Sequence, residues 1–359
     1  MQDGSARPTL RPIPETPYQK WVKEQGLPVY TGAYVEDLHA VELAPWSTTG
    51  QKAAIVNLAE QEKNDGWLIE IEPGGQTDVM HHICESAVYV VDGRGATTIW
   101  QHGSDKKQTV EWQTASLFAP PLNCHYQHFN LDGRRPARLF SATTMPLLVN
   151  IFKNADFVFD CPSVFAERYD GADDFFTDPG RRVGERLWQT NFVPDTRAFK
   201  LEGDARGRGS TNMAFLMADN AMRMHISEFP IGTYKKAHRH TAGAELIILG
   251  GVGYSLLWNP GEERTQVEWR EGSVFSPRNG EYHQHFNTGP VPARYLAIYT
   301  NMVIENTKAL RGADVSEREG GWQIEYEDED PAIYALFEDE CRKHDAVVTQ
   351  PKPRISISA

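Results

Sequence analysis

The sequence predicts an all-β fold of two tandem barrels, and three observations lead to this prediction. First, one unit occurs twice, because VEWQTASLFAP at 110–120 matches VEWREGSVFSP at 267–277 and QHFN at 127–130 recurs at 284–287. Both pairs are offset by 157 residues (267 minus 110, and 284 minus 127). Second, short runs rich in β-branched and aromatic residues alternate with Gly, Pro and Asn turns, as in a sandwich or barrel. Third, helical periodicity is confined to both chain ends and the stretch between the repeats.

Five segments follow from this pattern in chain order. Strand-like runs such as AVYVV and ATTIW belong to the first unit, and ELIILGG, YSLLW and RYLAIYT belong to the second. The predicted segments are an N-terminal helical arm (1–28) containing TPYQKWVKEQG, barrel 1 (29–150), a linker (151–186) with a helix at PSVFAERYDG and its surroundings, barrel 2 (187–305), and a C-terminal helical tail (306–359) containing DPAIYALFEDECRKHD.

Composition narrows the range of partners. The 359 residues include 36 Lys and Arg against 49 Asp and Glu, a formal net charge of -13, which disfavours nucleic acid and anionic membrane surfaces. A small-molecule partner fits better. No run approaches the ~20 apolar residues of a membrane span, and the first residues lack the apolar core of a signal peptide. Four cysteines are too sparse for a disulfide framework. We therefore expect a cytoplasmic protein with reduced thiols.

Histidines concentrate in the repeats, which hold eight of the chain's twelve in four short blocks. In the second repeat, His238 and His240 are two residues apart, so on a strand both rings face the same side. Glu245 follows, and about forty residues later His283 and His285 repeat the two-residue spacing. Three neutral imidazoles and one carboxylate suit a borderline divalent ion such as Fe(II), Mn(II), Ni(II), Cu(II) or Zn(II).

These blocks resemble the two conserved motifs of the cupin superfamily. The first motif is matched by Gly232, His238, His240 and Glu245, although its closing glycine is displaced to Gly251 or Gly253. The second motif is matched by Gly272, Pro277, Gly280, His283 and Asn287, with one residue too few before Pro277 and one too many after it. The resemblance covers about 120 residues in each half, so the chain looks like a bicupin with two jelly-roll barrels.

The resemblance implies a ligand set and a cofactor. The implied ligands are His238, His240, Glu245 and His283, which would hold one divalent transition metal per chain, with Fe(II) favoured and Mn, Ni, Cu or Zn as alternatives. His283 is preferred to His285 because it has the three-residue spacing to Asn287. His285 is then a substrate contact or an outer neighbour of the metal. Arg239 and Tyr254 complete the candidate catalytic residues, and Lys236 is expected to face the same side as His238.

The first repeat departs from the pattern. His81 follows Gly75 after five residues, but Ile83 stands at the partner position and Tyr126 replaces the counterpart of His283. Three alternatives stay open, with the first preferred: a degenerate barrel without metal, a non-standard site, or a site that uses a thiol of Cys84 or Cys124. The non-standard site would draw on His81, His82, Glu85, His125 and His128.

A fold does not by itself name a reaction. The leading hypothesis is a mononuclear non-haem dioxygenase that acts on a small aromatic or carboxylate compound with O₂, similar in architecture to gentisate and hydroxynaphthoate dioxygenase-type bicupins. Those enzymes generally use three histidines in the N-terminal barrel, whereas here the better site is C-terminal. One alternative is a redox-neutral decarboxylase, isomerase or lyase, since oxalate-type bicupins carry three histidines and a glutamate. A non-enzymatic ligand-binding barrel is a further alternative, and a homo-oligomer is expected from the resemblance.

Overall fold

The computed structural model describes residues 14–202, 207, 209–240, 243–300 and 312–354, and the structural statements below concern this part of the chain. The predicted arm and tail therefore lie partly outside it. Within it, the chain forms two β-barrels, each built from an eight-stranded sheet and a three-stranded sheet. This confirms the predicted all-β fold class.

The strands alternate with short turns along the chain, as the runs of β-branched and aromatic residues predict. In chain order the described strands are β1 (Val29–Tyr30), β2 (Tyr34–Val35), β3 (Ala44–Trp46), β4 (Gln51–Val56), β5 (Asp65–Ile71), β6 (Ser86–Asp92), β7 (Arg94–Trp100), β8 (Lys107–Gln113), β9 (Leu117–Phe118), β10 (His125–Asn130), β11 (Ala137–Thr143), β12 (Arg181–Gly184), β13 (Leu187–Gln189), β14 (Phe192–Val193), β15 (Thr211–Leu216), β16 (Met222–Phe229), β17 (Glu245–Gly250), β18 (Val252–Trp258), β19 (Thr265–Arg270), β20 (Val274–Phe275), β21 (Tyr282–Asn287) and β22 (Ala293–Thr300).

The two barrels exchange short edge strands. The larger sheet of barrel 1 has the order β1-β4-β5-β11-β6-β9-β14, with β3 on β4, and that of barrel 2 has the order β12-β13-β15-β16-β22-β17-β20-β2. Thus β2, from the first unit, pairs with β20, whereas β14, from the second unit, pairs with β9. The smaller sheets are β10-β7-β8 and β19-β18-β21. Each unit therefore covers an edge strand of the other, which protects that edge from solvent.

Four α-helices of the described residues lie outside the sheets. Helix α1 (Pro17–Gln25) begins after a capping box at Thr16 and ends at Gly26, as the sequence predicts. Helices α2 (Met145–Phe152) and α3 (Ala155–Phe159) follow barrel 1 in the chain and pack against its core. Helix α4 (Pro331–Lys343) begins at an Asp330 cap.

The prediction of a helix at PSVFAERYDG is wrong for that stretch itself, which forms turns and extended chain. The helices of this region, α2 and α3, come before it. Pro162 accounts for the break, because proline disfavours the helical conformation of the residue before it. Arg168 also holds the stretch in place by bonding to Glu85 and to Asn220.

Alternation along the strands separates the cores. On β17, Leu246 and Ile248 pack inside barrel 2, whereas Ile247 and Leu249 pack in the layer between the two barrels. On the outer side of the small sheet of barrel 2, Tyr254 and Phe286 belong to an apolar cluster that α4 completes. The helices of the described part include none long and apolar enough to cross a membrane.

Candidate metal centre

Three histidine side chains meet inside barrel 2. His283 lies on β21, and its backbone forms two hydrogen bonds, of 2.9 and 3.1 Å, with His238 in the segment before β17. His240 follows two residues later and turns to the same side. One nitrogen of each ring lies within 4.8 Å of the others, and within the described residues this is the one group of three or more His, Cys, Asp or Glu side chains so close together. The structure thus brings together three of the four predicted ligands.

Backbone carbonyls orient two of these rings. The carbonyl of Lys236 lies 3.3 Å from Nδ1 of His238, and that of Glu281 lies 3.1 Å from Nδ1 of His283. Because a carbonyl only accepts hydrogen bonds, Nδ1 carries the proton in both rings and Nε2 carries the lone pair. This second contact of a metal-ligating histidine is common in metal sites, where it fixes the ring. The donor set therefore fits a divalent transition metal.

His285 lies in the same chamber but outside this group. Its ring centre is 5.5 Å from that of His283, and its Nδ1 lies 2.8 Å from Oγ of Ser255. Trp269 donates its indole N–H to the same hydroxyl at 3.0 Å. Ser255 and Trp269 therefore fix the His285 ring beside the three histidines.

A small chamber opens beside the rings. A cavity of about 90 Å³ is lined by the four histidines together with His225, Ala244, Leu246, Tyr295, Ala297, Tyr299 and Ala313. It shares His225, Tyr295 and Tyr299 with a second cavity of about 230 Å³, whose other walls include Arg186, Asn212, Lys235 and Asp314. The first cavity is thus largely aromatic and apolar beside the histidines, and the second carries two cationic groups, one carboxylate and polar groups. A small anion with a flat apolar part suits both cavities.

Glu245 is not brought to the histidines. Its neighbours Ala244 and Leu246 line the cavity, so strand alternation directs Glu245 to the opposite side, where it is 1% exposed. Neither carboxylate oxygen has a hydrogen-bond partner among the described residues. Burial raises the pKa of Glu245 to about 8, and the charge of Asp65 raises it further. It therefore belongs to the layer between the barrels.

Arg239 and Tyr254, the other predicted catalytic residues, also face outward. The guanidinium of Arg239 lies 4.9 Å from the ring centre of Tyr282, on the side of β21 opposite to His283. Tyr254 stacks on Phe286 with ring centres 4.4 Å apart, under α4. Since the neighbouring Ser255 faces inward to His285, alternation places Tyr254 outside. The structure does not bring either residue into the chamber.

Lys235 is the residue that sequence reasoning missed. It is 3% exposed, and its ammonium donates to the hydroxyl of Tyr295 at 3.0 Å and to that of Ser227. Lys236, the residue expected to face inward, instead pairs with Glu325. The cause is a β-bulge. Tyr234 pairs with Phe286 and His238 pairs with His283, so four residue steps from Tyr234 to His238 lie opposite three steps from His283 to Phe286. Simple alternation counted back from His238 cannot detect the extra residue.

Barrel 1 has lost the corresponding cluster. Met80 pairs with Tyr126 as His238 pairs with His283, so Met80, His82 and Tyr126 occupy the three ligand positions. His82 places Nε2 2.7 Å from the Tyr126 hydroxyl, and burial lowers the pKa of His82 to about 4. His128 lies 2.7 Å from Thr97 Oγ1, as His285 lies beside Ser255. The interior of barrel 1 is thus a packed core.

The remaining candidates of barrel 1 are dispersed. Glu85 lies at the contact between the barrels, where it pairs with Arg168 and accepts hydrogen bonds from the backbone N–H groups of Ala221 and Met222. Cys84 and Cys124 are buried, and burial raises the pKa of Cys124 to about 12, which keeps it a neutral thiol. His81 and His125 stack on each other with ring centres 4.1 Å apart. Apart from His81 and His125, the structure does not gather these residues around one point.

Comparisons with known proteins give the fold. No protein-family model and no curated protein matches the sequence. Among solved structures, oxalate decarboxylase of Lactobacillus farciminis in a formate complex has a TM-score of 0.52 and 10% identity over 80% of this chain and 91% of that one. A deletion mutant of Bacillus subtilis oxalate decarboxylase has a TM-score of 0.50 and 11% sequence identity, and the match covers 84% of this chain and 87% of that one. A salicylate 1,2-dioxygenase of Pseudaminobacter salicylatoxidans has a TM-score of 0.49 and 13% sequence identity, and the match covers 67% of this chain and 71% of that one.

Such low identities establish a common fold and leave the reaction open. The two oxalate decarboxylases cover most of both barrels. The chain has the fold of the bicupins, and the resemblance seen in its two motifs is confirmed at that level.

Proposed function

We propose that this bicupin is a mononuclear non-haem metal-dependent dioxygenase that acts on a small aromatic or carboxylate compound. The observation that carries the proposal is the group of three imidazoles on one wall of a chamber whose other walls are aromatic and cationic. The residues that would hold the ion are His238, His240 and His283. Three neutral ligands leave coordination positions for substrate oxygens and O₂.

The chemistry that Fe(II) supplies in such a site is Lewis-acid polarisation of the substrate together with activation of O₂. Mn, Ni, Cu and Zn are alternatives, because imidazole binds several of these ions well. The protein's share of the reaction is to bind, orient and protonate the substrate.

Lys235 is proposed to hold the anionic group of the substrate. Ser227 and Tyr295 fix its ammonium in the wall of the chamber, and a fixed cation at low exposure strengthens a hydrogen bond to a carboxylate or phenolate. The apolar walls, such as Leu246 and Ala297, would hold the remainder of the molecule and exclude water.

His285 is proposed as the group that moves a proton at the substrate. Its Nδ1 lies 2.8 Å from Oγ of Ser255 and its side chain lines the cavity, so the imidazole lies where it can exchange a proton with a bound molecule. No role in the reaction is assigned to Arg239 or Tyr254, because both face away from the cavity.

Oxygen consumption tests the proposal. Full-length protein loaded with Fe(II) should consume O₂ with one or more members of a panel of hydroxylated aromatic acids and small carboxylates. His240→Ala should remove both the bound iron and the activity, whereas His39→Ala, an exposed histidine paired with Asp37, should retain both. Equal turnover under strict anaerobiosis would sink the dioxygenase proposal.

A redox-neutral decarboxylase is the second candidate, and one observation favours it. The cationic part of the chamber, with Lys235 and Arg186, suits a small carboxylate as well as an aromatic one. Release of CO₂ without O₂ uptake distinguishes this reaction from the first.

We also propose that the chain forms a homo-oligomer. Helices α2 and α3 expose Ile151, Phe152 and Phe157, which are 56%, 44% and 43% exposed, and the two phenyl rings lie 4.8 Å apart. Adjacent exposed apolar side chains of this size mark contact surfaces. Light scattering of the wild type and of Phe152→Glu checks this assembly.

A further inference from the structure

Three histidines lie together on the outer face of barrel 1, away from the candidate metal centre. Neighbouring His82, Tyr126 and His128 are all fully buried in the barrel. Alternation therefore turns His125 outward on β10, and His81 lies outside between Met80 and His82. His102 is in the turn that follows β7.

The His125 ring contacts both of the other two. Nδ1 of His102 lies 3.2 Å from Nε2 of His125, and the ring centres of His81 and His125 are 4.1 Å apart. Nε2 of His81 is buried and has no hydrogen-bond partner within the described part of the chain. Burial and the charges of the neighbouring imidazoles lower the pKa of His81 and of His125, and the negative charge of Asp160 partly opposes this decrease.

The same face of barrel 2 shows what a structural stack needs. Barrel 2 has an equivalent series of stacked cations and rings at the corresponding positions. The series consists of Arg264 for Lys107, Trp258 for Trp100, Tyr282 for His125 and Arg239 for His81. Trp100 stacks on His125 just as Trp258 stacks on Tyr282. The stack therefore needs no imidazole, and His102 has Pro260 as its counterpart. The three nitrogen donors are a feature of barrel 1 alone.

We propose that His81, His102 and His125 bind a second divalent transition-metal ion, of the Zn(II), Ni(II) or Cu(II) class, on the outer face of barrel 1. Two imidazole nitrogens on one tetrahedral ion at ~2.0–2.1 Å are about 3.3 Å apart, which matches the contact between His102 and His125. The ring centres of His81 and His102 are 6.0 Å apart, and rotation of the exposed His102 side chain closes that gap. The negative charge of Asp160 favours the cation.

The experiment uses the full chain with the interior cluster disabled by His238→Ala and His240→Ala. Binding of Zn(II) and of Cu(II) is measured by calorimetry, and the bound ions are counted by elemental analysis after gel filtration. About one ion per chain should remain in this background. Adding His102→Ala or His125→Ala should weaken its binding at least tenfold, because each removes one of three protein ligands, and adding His39→Ala should change nothing.

A parallel series keeps the interior intact in case the double variant does not fold. In the wild type loaded with Zn(II), His102→Ala should lower the number of bound ions by about one and leave activity unchanged, since His102 is on the surface. Binding that is equal with and without His102 and His125, or its absence from a folded double variant, overturns the proposal. Either result leaves the function proposed for barrel 2 unaffected.

Discussion

Barrel 1 and barrel 2 share a fold and differ in chemistry. Both place a histidine beside a hydroxyl that also accepts a tryptophan N–H: His128, Thr97 and Trp112 in one barrel, and His285, Ser255 and Trp269 in the other. The barrels differ at two of three corresponding interior positions: Met80 and Tyr126 stand where barrel 2 has His238 and His283, whereas His82 corresponds to His240. The shared triad therefore belongs to the architecture of the barrel, and the unshared histidines carry the proposed metal chemistry.

The largest effect is expected from making barrel 2 resemble barrel 1. His283→Tyr removes one of three nitrogen ligands and introduces the residue that barrel 1 has at Tyr126. Metal affinity should fall more than about 100-fold, since even loss of an outer partner of a ligand costs 10–100-fold, and activity should be lost with it. Elemental analysis and oxygen uptake check this. Tyr126→His is the control: it should create no site, because Met80 still offers no nitrogen. A His283→Tyr protein that keeps its ion would contradict the ligand assignment.

The second effect concerns two adjacent lysines. Lys235→Met should raise the KM for an anionic substrate about 10- to 100-fold, because a hydrogen bond to a charged group contributes ~1.5–3 kcal/mol. Metal content should not change. Lys236→Met is the matched control, since it removes a partly exposed ion pair with Glu325 and should alter KM less than about threefold. Equal effects of the two substitutions would remove the basis for Lys235 as the substrate anchor.

The third difference between the two barrels is at Glu245. Its counterpart is Ala87, because Ala87 pairs with Ala142 on β11 as Glu245 pairs with Ile298 on β22. With a pKa of about 8 in the folded chain and an ordinary value of 4.5, Glu245 binds its proton more tightly when folded. Its stabilising contribution is fully present below pH 4.5 and is lost as the pH rises through 8, by up to ~1.4 kcal/mol per pH unit.

Glu245→Gln should therefore be more stable than the wild type at pH 8.5, and the difference should shrink towards pH 5. Urea unfolding at several pH values measures this. Asp65→Asn is the control for the nearby buried acid. Burial raises the pKa of Asp65 to about 6, so the pH-dependent change in stability that comes from Asp65 ends at a lower pH than that from Glu245. An unchanged difference between Glu245→Gln and the wild type across this range would show that Glu245 does not titrate as inferred.

The sequence predicts the barrels and the histidines better than it predicts which side chains face inward. The repeat and the strand-like runs are long-range patterns that survive small errors in register. His238, His240 and His283 were found because two-residue spacing keeps side chains on one face. Glu245 was assigned to the metal from the motif resemblance, although its odd spacing of five residues from His240 favours the opposite face. Lys235 was missed because a bulge lies between Tyr234 and His238. One extra residue there reverses every later side chain.

The hairpin of β17 and β18 shows the same limit. Tyr254 was expected in the site because its spacing from the histidines was counted through the turn at Gly251. That turn has a positive φ of 89° at Gly251, and the pairing of β17 with β22 is irregular next to it. A single sequence shows neither feature. Arg239 illustrates a different limit, since a residue between two inward histidines must face outward. Spacing alone did not define which face was functional.

The smallest effect is expected at Tyr254, and it separates a packing role from a catalytic one. The phenol ring stacks on Phe286 beneath α4, and its hydroxyl is buried without a hydrogen-bond partner among the described residues. Tyr254→Phe should leave metal content and turnover within about twofold and should stabilise the fold slightly, because an unpaired buried hydroxyl costs ~1–3 kcal/mol. Tyr254→Ala should instead destabilise the chain by ~3–5 kcal/mol through the cavity it leaves. Thermal unfolding and steady-state kinetics distinguish the cases: a large loss of turnover in Tyr254→Phe, with the fold intact, would return this hydroxyl to the reaction.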